Sequence, residues 1–312
     1  MSIELKPETD KISVGAAGKV SVPGPGQQSR AAGPGARKGA FVRRLLANRR
    51  TLLAGVFLVI IALTAIFAPV IAPHDYRDIV GKPLTSAGVL GVDDFGRDVL
   101  SRLLIGMRTS LLVAVASVAV AAVLGVGLGL IAGYSGRFTS GVIMRGIDIL
   151  LSFPPIVLAI AVVAILGPSV VNVVLVIGVL YIPRFTRIVE SQVLSLRHTE
   201  YVEAAQVMGA SRASILIKTI LPNVMAPIIV QLTLSVSFAI QMEAGLSFLG
   251  LGAQPPLPSL GTMVASGRDF LEVQPMLLVY PAILIILIVL ALNVFGDGLR
   301  DLLDPRRRGT RA

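Results

Sequence analysis

LLAGVFLVIIALTAIFAPVI, residues 52–71, runs twenty residues without one charged side chain. A helix of that length is about 30 Å long, and about twenty apolar residues is what a bilayer crossing requires. A helix on a water-soluble core would interrupt such a run with polar residues on its solvent face. The stretch therefore reads as a membrane span, and the chain repeats the pattern. Further apolar runs occupy residues 111–133, 150–167, 170–189, 224–242 and 276–295. Together they predict an all-α polytopic membrane protein with six transmembrane helices. The third run has 18 residues, and only Pro168 and Ser169 part it from the fourth, so these two form a tight hairpin. Pro154 and Pro155 fall at its start, where a missing N–H costs least; Pro183 is expected to bend or end the fourth span.

Composition agrees. Of 312 residues, 54% are hydrophobic and 15% charged, with mean hydropathy +0.82. Few soluble domains could bury so much apolar surface. Cysteine is absent, which excludes a disulfide framework, a thiolate nucleophile and a cysteine-based metal site. With only His74 and His198, a histidine-rich metal centre is excluded too, and no cofactor or metal is expected. Residues 1–45 differ from the rest: AAGKVSVPGPGQQSRAAGPGARKG, residues 16–39, is rich in Gly, Pro and Ala without a period and reads as a disordered cytoplasmic tail. It is too long for the n-region of an ordinary signal peptide, so the first apolar run is expected to stay as a span. The six-helix domain is placed at 46–308, with a short C-terminal tail at 309–312.

Net charge is +10, but its distribution argues against nucleic acid. With both termini on the cytoplasmic side of a bacterial inner membrane, the inside segments total +12 and the outside segments −2. That is the positive-inside bias. It puts the segment between the fourth and fifth spans, about 190–222, in the cytoplasm.

Two patterns stand out within this frame. Ser117, Ala121, Gly125, Gly129 and Gly133 recur every fourth residue and put a stripe of small residues on one face of the second span. Such a stripe either lets another helix approach closely or reflects glycine tolerance in lipid. The second is YVEAAQVMGASRASILIKTILPN, residues 201–223. Tyr201, Ala205 and Met208 share a helix face, Glu200 and Glu203 suit a first turn, and Thr199 is a candidate cap. Gly209 permits a left-handed turn, Ser211 can cap a second helix, and Pro222 opens the fifth span. A helix, glycine turn and helix at the membrane surface suit either docking of a soluble partner or a plain connector. Outside, Asp93, Asp94, Arg97, Asp98, Arg102 and Arg108 alternate in sign, and Asp98 and Arg102 are spaced to pair.

Glu203, Ala204, Ala205, Gly209, Leu221 and Pro222 resemble the EAA signature of permease subunits of ABC-type importers, with Thr219 at a place the family keeps hydrophobic. GVDDFGRDVLSRLLIGMRTSL (91–111), DILLSFPPIVLAI, EAGLSFLGLGAQPPLPSLGTM and NVFGDGLRDLLDPR resemble landmarks of the C-type permeases of dipeptide and oligopeptide importers. The likeness covers roughly residues 45–308 and implies a type I importer permease fold. It implies half of a translocation path for dipeptides or oligopeptides, beside a homologous B-type permease. The same subfamily also serves nickel chelates, glutathione and opines. It further implies two cytoplasmic ABC ATPases and an extracytoplasmic solute-binding protein, with Tyr201, Glu203, Ala204, Ala205, Met208 and Gly209 docking the ATPase. The chain has no G-x-x-x-x-G-K-[ST] loop, so ATP chemistry belongs to the partner and no enzyme activity is expected.

Gln231, Gln241 and Glu243 are candidates for the path; Glu243, near the outer end of the fifth span, would accept a peptide's amino end, pair with a neighbouring arginine, or lie among headgroups. A proton-coupled carrier would want an ionisable residue at midplane, and the apolar span interiors offer no Asp, Glu, His or Lys. A purely structural subunit would need no coupling loop.

Overall fold

A computed structural model describes residues 48–85 and 88–303. The tails expected at 1–45 and 309–312 lie outside the described residues. Ten helical elements follow in order: α1 (Arg49–Ile71), α2 (Val99–Tyr134), α3 (Arg137–Leu151), α4 (Pro155–Leu166), α5 (Val170–Leu196), α6 (Glu200–Val207), α7 (Arg212–Ser214), α8 (Leu221–Phe248), α9 (Leu260–Arg268) and α10 (Met276–Leu303). A π-helical segment, Ile215–Ile220, joins α7 to α8, so Arg212–Phe248 forms one helical run. Among the described residues, five runs are long and apolar enough to cross a membrane, and α3 with α4 makes a sixth if that bent pair counts as one span.

The third span departs from expectation. It is not one helix over 150–167: α3 and α4 meet at 86°. Pro154 and Pro155 supply the reason. Neither has an N–H to carry the ladder across the break, and Pro155 serves as the first residue of α4. Pro183, by contrast, does not end the fourth span; α5 runs through it to Leu196.

Pro222 shapes the helix before it. Its ring clashes with the carbonyl four residues back, and the backbone answers by widening: the Leu221 N–H reaches the Leu216 carbonyl, five residues away. Asn223 Nδ2 then donates to the Thr219 carbonyl at 2.7 Å.

One apolar core joins α1, α2, α4, α5, α8, α9 and α10, through Ile61, Ala114, Val163, Phe185, Ile240, Leu260 and Ile288 among others. A second, smaller cluster sits at one end of the bundle. Leu130 of α2, Val189 and Val193 of α5, Val202 of α6 and Ile215, Ile220, Val224 and Ile228 make it. It fastens the segment after α5 to three long helices.

Candidate functional site

α6 begins at Thr199, whose backbone has the extended cap conformation. Its side chain makes no cap bond, because the hydroxyl donates instead to the Leu196 carbonyl at 2.6 Å. Glu200 and Glu203 occupy the first turn, where the helix dipole favours negative charge. At the other end Gly209 has φ +80°. Its N–H donates to the Gln206 carbonyl and that of Ala210 to the Ala205 carbonyl, at 2.9 and 3.1 Å. This is a Schellman closure, and it requires the left-handed residue that glycine supplies. Ser211 Oγ accepts from the Ser214 N–H at 3.3 Å and starts the next helix.

The outer face of this turn is apolar. Met208 is 80% exposed, Tyr201 44%, and Val207, which the sequence reading passed over, 88%. Glu203 and Ala204 are exposed beside them. Ala205 is turned inward and packs on the second cluster, so the face expected from Tyr201, Ala205 and Met208 is split. Val202 is fully buried and anchors α6 in that cluster. Gln206 Nε2 donates to Tyr134 Oη at 3.0 Å, tying α6 to the end of α2. The site is thus an exposed apolar tip on a helix whose other side is locked to α2, α5 and α8.

The small residues of α2 lie against α5. A Cβ on Gly125 would come within 2.6 Å of Phe185 Cβ and 2.8 Å of the Ile182 carbonyl oxygen. On Gly129 it would meet Val189 Cβ at 2.7 Å and the Thr186 oxygen at 2.8 Å, and on Gly133, Val193 Cβ at 2.6 Å. Ser117 and Ala121 are fully buried on the same seam, and α5 answers with Gly178 against Val120. Two backbones approach because no side chain stands between them.

At the opposite end, Asp93 is the hub of the loop before α2. Its Oδ1 accepts from the Phe95 and Arg97 N–H groups, both at 2.9 Å. Its Oδ2 lies 2.8 Å from Arg97 Nε and 3.2 Å from Arg102 Nε. The expected Asp98–Arg102 pair does not form. Asp98 is spent as the cap of α2, its Oδ2 accepting from the Ser101 N–H at 2.8 Å and hydroxyl at 2.6 Å. Burial, then the charge of Asp93, pushes the Asp94 carboxyl above its ordinary value. A raised carboxyl favours the folded state below its usual titration range and loses that advantage as pH rises. Asp94→Asn is therefore expected to be neutral or stabilising at pH 7, with the gain vanishing toward pH 4. Asp93→Asn takes the nearest carboxylate from Arg97 and Arg102, leaving them Asp94 at 3.9 Å and the Tyr76 carbonyl at 3.2 Å, and should cost about 1–2 kcal/mol. Thermal melts of both variants in detergent at the two pH values test this; equal melting temperatures at pH 7 would refute it.

The path candidates part company. Glu243 is 1% exposed. Its Oε1 accepts from Ser247 Oγ at 2.7 Å, and it lies near Ser110 and Ser259. The side chain sits inside the subunit between α8, α2 and the start of α9. Gln241 is exposed and Gln231 half-buried, the latter donating to Ser235 Oγ at 2.9 Å.

Residues 39–83 match the N-terminal TM domain of oligopeptide transport permease C. The di/tripeptide transport system permease protein DppC of Pseudomonas aeruginosa is 43% identical over 269 residues, covering 83% of this chain and 89% of that protein. The glutathione transport system permease protein GsiD of Pectobacterium atrosepticum is 41% identical over 271 residues, 85% and 90% of the two chains. In fold the chain is similar to a chain of the inward-facing MetNI methionine ABC transporter, with TM-score 0.54 at 18% identity, over 65% of this chain and 96% of that one. The helical bundle, the α6–Gly209 turn and the α2–α5 seam all fall in or across residues 125–309, which match the model for the binding-protein-dependent transport system inner membrane component, and it is to that family of multi-pass inner-membrane permeases that the chain belongs.

Proposed function

We propose that this chain is the C-type permease subunit of an ATP-driven importer for short peptides, and that α6 is its coupling point. The observation that carries the reading is the α6 tip: Val207 and Met208 stand almost fully exposed on a helix whose other face is buried among α2, α5 and α8. An apolar knob on a rigid lever suits a groove on a soluble motor. With no phosphate-binding loop of its own, the subunit takes its energy from two cytoplasmic ATPases. A B-type permease completes the path, and an extracytoplasmic binding protein delivers the solute. Nucleotide drives transport only to the extent that it favours one packing of the helices over another. Dipeptide and glutathione permeases resemble the chain about equally, so the solute class is a short chain of amide-linked amino acids. Uptake of labelled dipeptide and labelled glutathione by cells carrying the whole importer separates the two.

This reading needs the termini and α6 in the cytoplasm. The chain is free of cysteine, so single cysteines report directly. One at Val89, which is exposed, should react with an impermeant thiol reagent added to intact spheroplasts. One at Ala213 should react only after permeabilisation. The reverse pattern removes α6 from the ATPase side and ends the proposal.

A further inference from the structure

α5 carries a charge inside its apolar run, toward the inner end. Arg184 stands fourteen residues after Val170 and twelve before Leu196. The apolar run closes at 189, so at 1.5 Å per residue Arg184 lies about 8 Å inside its inner end. Its guanidinium carbon lies 4.8 Å from the centre of the Tyr181 ring and 4.7 Å from that of Phe238 on α8. Among the described residues, ion pairs engage Arg97, Arg102, Arg187 and Arg268, and Arg184 has neither a carboxylate nor a hydrogen-bond acceptor.

Rings take the faces of a guanidinium, whereas its five N–H donors radiate in its plane. The two ring contacts hold the group in position, and its N–H donors have no acceptor among the described residues. The surroundings are polar. Arg184, Arg187 and Ser191 follow one another at helical spacing on α5, and Phe238 and Gln241 do so on α8, both exposed. Contact with a ring on α8 turns this guanidinium toward protein and not outward to lipid.

We propose that Arg184, held by Tyr181 and Phe238, is a carboxylate-recognition point on the translocation path. A carboxylate matches the fork of N–H groups edge-on, with two parallel bonds, where a neutral amide does not. The inference rests on the short-peptide reading above, since a free C-terminal carboxylate is the anionic group that such solutes share. A single edge-on contact also suits transit, where a solute must bind and leave again.

Two measurements on the assembled importer test it. In the first, phenylglyoxal is applied and adducts at Arg184 are read by mass spectrometry, with acetate or acetamide as the competing probe. Arg184 should be modified, and acetate but not acetamide should protect it severalfold. No modification in the assembled complex would mean that a partner subunit covers the guanidinium, and modification without protection by acetate would mean that the edge takes no carboxylate; either overturns the proposal. In the second, Arg184→Gln should lower uptake of a free-acid dipeptide about tenfold while Arg184→Lys keeps part of it. The permease pair should purify intact in both variants. Unchanged uptake in Arg184→Gln, or loss of the pair, also overturns the proposal. If acetate protects Arg184 while the wild-type importer takes up no peptide, the solute class has failed and the carboxylate site stands.

Discussion

Gly209→Val is expected to cut coupled transport at least about tenfold while leaving the packing of the spans intact. The glycine has φ +80°, and a Cβ there would meet nothing within 4 Å. The whole penalty is therefore conformational. An ordinary residue in the left-handed region costs about 1–2 kcal/mol, and a β-branched one more. Two kcal/mol shifts the turn against its alternatives by a factor of about thirty. The Schellman closure opens, and the tip of Val207 and Met208 leaves the position set by Val202 and Gln206. The spans are untouched, because nothing in the α2–α5 seam depends on Gly209. The assay is uptake beside ATP hydrolysis in the same proteoliposomes. Uptake should fall at least about tenfold, with hydrolysis no longer responding to loaded binding protein. Gly209→Ala should fall between, since it carries the left-handed cost without the β-branch. Wild-type uptake in Gly209→Val would show that this turn is not the transmission.

Gly129→Leu should destabilise the subunit at the α2–α5 seam. The glycine faces Val189 Cβ and the Thr186 carbonyl oxygen at distances where no Cβ fits, and neither neighbour is the far end of a flexible chain. The helices must separate along the seam, exposing the fully buried Val189 and Phe185. Overpacking of this kind costs about 1–3 kcal/mol, and a branched side chain lies at the upper end. A fall of about 5–10 °C in the apparent Tm in detergent is expected. Gly127→Leu is the control: it lies on the same helix, has open space around it, and adds the same insertion-friendly side chain. Equal Tm values for the two variants would mean that the seam bears no packing energy.

These two glycines were legible in the sequence for different reasons. Gly209 stood between two polar helical stretches where only a turn would fit, and Gly129 belonged to a four-residue repeat of small side chains. Which helix answers that repeat was not legible, because small residues announce a close approach without naming the partner. Val207 was missed because periodicity assigns a face, while exposure at a helix tip depends on where the closing glycine turns the chain. Asp98 was misassigned because two partners compete for it: i,i+4 spacing offers Arg102, but the unsatisfied N–H groups at the start of α2 stand closer. That Glu243 is buried was not legible, because depth alone does not say which way a side chain faces.

Local chemistry determined what the sequence could state by itself. Twenty uncharged residues must cross a bilayer, lysine and arginine settle on one side, proline breaks a helix, and glycine turns one. Each depends on a residue's own backbone or its transfer from water, so no distant neighbour is needed. Tertiary structure alone decided the rest: that α2 closes on α5, that Asp93 gathers Arg97 and Arg102, that Glu243 is interior, and that Arg184 meets the rings of Tyr181 and Phe238. Those depend on pairs far apart in the chain. In an apolar solvent, hydrophobicity does not select helix partners; shape and a few polar contacts do, and they exist only after the helices have met.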